Sequence, residues 1–76
     1  MAKGPLISGR EAKRVFELLG WTVSRRKGSH ISMFKPDVQQ IMSIPDHKEL
    51  GVGILRGLIR TAGITVDDFV RTMKKK

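Results

Sequence analysis

The spacing of apolar residues changes twice along this chain, from a helical period to a strand period and back, which restricts it to a mixed fold. Ala12, Val15, Phe16 and Leu19 recur at i, i+3, i+4 and i+7, one face of a helix. Ser8-Gly9-Arg10-Glu11 has the form of a capping box: the Ser oxygen can accept from the Glu11 N–H while the Glu carboxylate reaches back. Ile7, just before the cap, is placed to act as a hydrophobic staple. Gly20 suits a left-handed stop.

Alternation then takes over. Trp21 and Val23 are apolar where Thr22 and Ser24 are not, and Arg25-Arg26-Lys27 carries the run into a Gly28-Ser29 turn. His30–Phe34 is a second strand-like run, broken by Pro36-Asp37; Gln40–Ile44 is a third, stopped by Pro45. Three short runs with two tight breaks predict an antiparallel meander. Helical spacing returns with Ile54, Leu55, Leu58, Ile59 and Ala62, closed by Gly63. Thr65-Val66-Asp67-Asp68 reads as a new helix start, with acids where the helix dipole favours them. Val66, Phe69, Val70 and Met73 supply the apolar face.

The expected order is α-β-β-β-α-α. That is an α+β domain of two layers, a three-stranded antiparallel sheet with helices on one face. At 76 residues the chain is read as a single domain, 1–76. The ordered core is expected at about residues 6–73, with a frayed Lys74-Lys75-Lys76 end. Phe16, Trp21 and Phe69 fall at core-facing positions. Phe34 shares strand parity with His30 and Ser32; if Ile31 and Met33 face the core, it lies outward, where it either stacks a base or caps the sheet edge.

Charge narrows the partner. Fifteen Lys and Arg oppose seven Asp and Glu, a net +8 that attracts polyanions: nucleic acid, an acidic protein or an anionic membrane surface. Gly-interrupted helices with core periodicity argue against a membrane-active peptide. No apolar run approaches the roughly 20 residues of a membrane span. Met1-Ala2-Lys3-Gly4-Pro5 lacks a hydrophobic secretion core, so a cytoplasmic location is expected. The absence of Cys excludes disulfides and fits a reducing compartment.

Few side chains here can do chemistry. Tyr is absent as well as Cys, and neither His has a His or Cys at ligand spacing, so no metal or other cofactor is expected. His30 stands out by position. It follows Lys27-Gly28-Ser29, opens a strand, and adjoins Arg25 and Arg26. Backbone N–H groups in such a turn can hold a phosphate oxygen, and an imidazole exchanges a proton near neutral pH. RNA brings its own nucleophile, the 2′-OH; its cleavage needs a base for that proton, cations at the phosphate and a proton for the leaving oxygen. The competing reading of His30 is an ordinary surface residue in a turn. His47, in Pro45-Asp46-His47-Lys48, is either a secondary acid to that base or a solvated loop residue.

The chain resembles the HicA (YcfA-like) toxin family. The resemblance is carried by Ser8-Gly9-Arg10-Glu11, Leu19-Gly20-Trp21, Arg25-Arg26-Lys27-Gly28-Ser29-His30, Ile44-Pro45-Asp46-His47-Lys48-Glu49-Leu50, Gly53-Ile54-Leu55-Arg56 and Ala62-Gly63-Ile64-Thr65. It is collinear over about residues 6–72, and Lys-Gly-Ser-His is its most specific piece. It implies a fold like the double-stranded-RNA-binding domain, and ribosome-independent cleavage of mRNA by the toxin of a bacterial toxin–antitoxin pair. It also implies an acidic HicB-type antitoxin partner, with DNA bound only indirectly through that partner. The family's essential His falls on His30, expected as general base. Arg25, Arg26 and Lys27 are the expected phosphate contacts, with Arg10, Lys13, Lys35 and Lys48 as further candidates. Gly28 serves the turn; Ser29 either bonds a phosphate or closes the turn. Two alternatives stand beside this: a non-catalytic RNA-binding module, and a protein whose basic face serves only to bind an acidic partner.

Overall fold

The computed structural model describes residues 7–75. Met1–Leu6 and Lys76 lie outside them, and with them the N-terminal segment and the last residue of the lysine end. The elements are α1 (Gly9–Leu18), β1 (Thr22–Lys27), β2 (His30–Lys35), β3 (Val38–Pro45), α2 (Val52–Ala62) and α3 (Val66–Lys75). This is the expected order. The strands form one antiparallel sheet, β1-β2-β3, with β2 central.

The helix ends are set as their residues suggest. Ser8 Oγ accepts from the Glu11 N–H at 3.1 Å and Glu11 Oε1 accepts from the Ser8 N–H at 2.9 Å, a complete capping box. Thr65 and Asp68 repeat it at α3, at 3.0 and 3.2 Å. Both interior helix stops are Schellman motifs. After α1, the Trp21 N–H donates to Phe16 O at 2.9 Å and the Gly20 N–H to Glu17 O at 3.1 Å, with Gly20 at φ +101°. The hydrophobic contact that accompanies this motif is Trp21 against Phe16, edge to face at 6.5 Å. After α2, Gly63 at φ +74° and Ile64 close the chain onto Arg60 and Ile59.

One face of the sheet is covered. Ile31 and Met33 of β2 and Met42 and Ile44 of β3 are fully buried, against Ala12, Val15 and Phe16 of α1, Leu55, Leu58 and Ile59 of α2, and Phe69 of α3. Phe16 is fully buried, its ring 5.3 Å from that of Phe69. Burial of each such side chain is worth about 1.5–3 kcal/mol, which is how so short a chain offsets its ordering entropy.

Three details depart from the periodicity. β3 begins at Val38, not Gln40, because Pro36-Asp37 alone makes the turn and Lys35 already pairs with Val38. Ile54 is half exposed: at about 100° per residue it lies roughly a quarter-turn from the centre of the stripe that buries Leu55, Leu58, Ile59 and part of Ala62. Leu50, in the segment before α2, is buried in the core, and its N–H donates to Ile7 O at 2.8 Å. An isolated Leu between Glu49 and Gly51 carries no periodic signal.

Candidate nucleic-acid interface

The other face of the sheet is open, and β1 reaches it through a bulge. Val23 pairs with Met33 but Arg25 pairs with Ser32, so Ser24 is an extra residue. Its hydroxyl donates to the Ser32 carbonyl at 3.3 Å. Such an insertion shifts strand parity by one. Val23 therefore faces inward, while Arg25 and Lys27 turn to the side opposite the core. There they join His30, Ser32 and Phe34, which alternate with buried Ile31 and Met33, and Ile41 and Ser43, which alternate with buried Met42 and Ile44.

Three rows cross this outer face. Thr22 pairs with Phe34 at one end, where the register to β3 shifts and Ile41 follows the Met33–Met42 pair; Arg25, Ser32 and Ser43 occupy the middle; Lys27, His30 and Pro45 lie at the other end. None of the three strands contains an Asp or Glu. The formal charges carried by the three strands are therefore all positive.

His30 is exposed, opens β2, and is paired with Lys27 on one side and Pro45 on the other. Gly28 and Ser29 form the two-residue hairpin loop before it. Gly28 has φ +58°, and a Cβ there would meet nothing within 4 Å, so the dihedral and not space calls for glycine. The Ser29 carbonyl accepts from the Asp46 N–H at 2.6 Å. That bond ties the turn before His30 to the end of β3.

Arg26 pairs with Ile31, so it does not share the His30 face; its Nη2 lies 2.8 Å from Asp46 Oδ2. Arg10, in the first turn of α1, is 3.5 Å from Asp46 Oδ1. Gly9 completes this junction. Its N–H donates to His47 O at 2.9 Å, and a Cβ on it would collide with the Pro45 carbonyl. Nothing in the sequence around Asp46 announces that it bridges two arginines.

The expected contacts thus divide. Arg25, Lys27 and His30 share the outer face. Arg10, His47 and Lys48 line an adjoining open groove with Ser8 and Asp46. Lys35 does not join either group: it lies at the far end of β2, with the opposite parity, and its ammonium is 2.8 Å from Asp37. That ammonium, the Asp37 backbone N–H and the attraction between the charges hold the Asp37 carboxyl below its usual value. Lys13 pairs with Glu17 along α1 at 3.4 Å. Among the described residues, no three His, Asp or Glu side chains converge as metal ligands, and no helix is long and apolar enough to cross a membrane.

A family model described as the HicA toxin of bacterial toxin–antitoxin systems matches residues 9–64. The chain belongs to the HicA toxin family. The matched span holds the whole outer face and the Asp46 junction, and it ends before α3. This HicA-family chain is also similar to a solved structure, a toxin–antitoxin complex from Streptococcus pneumoniae. The two are 32% identical, the match covers 76% of this chain and 98% of that one, and the TM-score is 0.67. No match to a curated protein was found.

Proposed function

We propose that this HicA-family chain is a toxin that cuts mRNA, with His30 as the general base. The observation that carries the reading is the position of His30, exposed on an acid-free cationic sheet face with Lys27 paired opposite it. In the reaction, the imidazole takes the proton of a ribose 2′-OH. The freed oxygen bonds to the adjacent phosphorus, the bond from phosphorus to the 5′-oxygen breaks, and that oxygen takes up a proton. The products are a 2′,3′-cyclic phosphate end and a 5′-hydroxyl end. His47, in the neighbouring groove, is the candidate donor of the last proton. Arg25 and Lys27 balance the charge that builds on the phosphate. Because the nucleophile belongs to the RNA, the step requires no cofactor.

An acidic HicB-type antitoxin is the proposed protein partner, and DNA is reached only through it. The resemblance to a toxin–antitoxin complex and the net charge of +8 support this pairing. The site of action is the cytoplasm, where mRNA is available.

The test is cleavage of labelled RNA by the parent chain and His30→Ala, with and without EDTA. The parent is expected to cut in both conditions. The variant is expected to lose about 10²–10⁴-fold in rate while keeping its thermal unfolding. Equal cutting by the two chains overturns the assignment of His30. Salt-sensitive binding without any cutting by the parent reduces the chain to an RNA-binding module.

A further inference from the structure

The row of the outer face farthest from His30 holds two exposed apolar side chains with no helix over them. Phe34 is 39% exposed and Ile41 is 67% exposed, although both lie in strands where their neighbours Met33 and Met42 are fully buried. They are the next residues beyond the Met33–Met42 pair, one on each strand, at the point where the register between β2 and β3 shifts, and both emerge on the open face because their neighbours Met33 and Met42 face the core. Between them and His30 lies the middle row, where Ser32 and Ser43 give a low floor and Arg25 stands at one edge. From His30 to Phe34 is about 13 Å along β2, at about 3.3 Å per residue.

We propose that Phe34 and Ile41 seat an unpaired base of the RNA, a short distance along the strand from the phosphate at His30. The inference rests on the RNA reading above and adds to it a base-stacking subsite that selects single-stranded RNA. Three observations choose this occupant. The apolar area is one aromatic ring and one aliphatic side chain, which matches a single base and falls far short of the roughly 800 Å² that a stable protein interface takes from each partner. The surrounding strands carry Arg25, Lys27 and His30 and no acid, which suits a backbone of phosphates on either side of that base. The face is also an open sheet. The bases of a duplex are already stacked on one another, so a ring here has a free π-face to meet only where a strand is unpaired. Stacking is tolerant of base identity, so the subsite favours unpaired segments over any one sequence.

The experiment measures binding by full-length His30→Ala protein, so that the RNA stays intact. The probes are an unstructured single-stranded RNA and a blunt-ended, fully paired RNA duplex of the same strand length. Adding Phe34→Ala is expected to weaken single-strand binding about tenfold and leave duplex binding unchanged, while Phe34→Trp restores single-strand binding. Ile41→Ser is expected to act in the same direction. Because Phe34 lies outside the core, thermal unfolding of each variant should match the parent. Unchanged single-strand affinity in Phe34→Ala overturns the subsite, as does an equal loss for both RNAs. If the His30→Ala chain binds neither probe, the RNA reading itself falls, a result distinct from loss of the subsite alone.

Discussion

The backbone N–H of Asp46 donates to the Ser29 carbonyl at 2.6 Å, so the turn that presents His30 is fastened to the strand end beyond Pro45. The Asp46 side chain extends this junction by drawing in Arg26 from β1 and Arg10 from α1. Three separate stretches of chain are thereby held at one corner of the sheet, beside the candidate base.

Asp46→Asn keeps the backbone bond and removes the charge. Arg26 and Arg10 are then released to solvent and no carboxylate faces the RNA. Stability is expected to fall by about 1 kcal/mol or less, since both arginines are well exposed. RNA affinity is expected to rise, with a steeper dependence on salt. Weaker binding by a variant with unchanged unfolding would show that the carboxylate positions the site and does not merely compete for its cations.

Gly9 and Gly57 are expected to respond in opposite directions to alanine. A Cβ at Gly9 would strike the Pro45 carbonyl and lie 3.0 Å from Asp46 Cα. Gly9→Ala should therefore cost about 1–3 kcal/mol despite the better helix propensity of alanine. At Gly57, within α2, an added Cβ meets nothing within 4 Å, and Gly57→Ala should stabilise by about 0.4–1 kcal/mol. Chemical denaturation of the two variants checks both signs.

The cations can be sorted by salt titration. Arg25→Ala and Lys27→Ala are each expected to lower the slope of log affinity against log salt by about 1. Lys35→Ala should leave it unchanged, because that ammonium is engaged by Asp37 away from the outer face. Equal slopes for all three variants would mean that the RNA does not follow the outer face.

Asp37 carries a small, signed pH effect. Its folded carboxyl is held below the usual value of 3.8, first by the hydrogen bond from Lys35. A depressed carboxylate adds stability that is present above the unfolded value and is lost as pH falls through the folded one. Asp37→Asn should therefore melt slightly below the parent at neutral pH, and the gap should close on acidification. The residue is fully exposed, so the effect is small. A gap that widens in acid would contradict the ion pair.

Much of the candidate site was legible before the fold. Gly28-Ser29 between charged and alternating residues marked a hairpin loop, and the alternation of Ile31 and Met33 placed His30 and Phe34 outward. These are local effects of dihedral preference and strand period. Arg25 and Lys27 were recognised as cations by type, but their common face with His30 was not readable. An uninterrupted alternation from Val23 would have turned both toward the core side. The bulge at Ser24 reverses that, and a bulge is chosen by how two strands twist against each other.

The chain's own order of residues determined the number and type of its elements, where helices start and stop, and which side chains are apolar enough to form a core. Each of those follows from interactions spanning a few neighbouring residues. Only the folded molecule decided that Asp46 holds two arginines, that Leu50 is core, that Lys35 is engaged by Asp37, and that Phe34 and Ile41 are both left exposed on the uncovered face. Those relations join residues distant in the chain or depend on strand register, and they come into being only when the sheet closes and the helices choose which of its faces to cover.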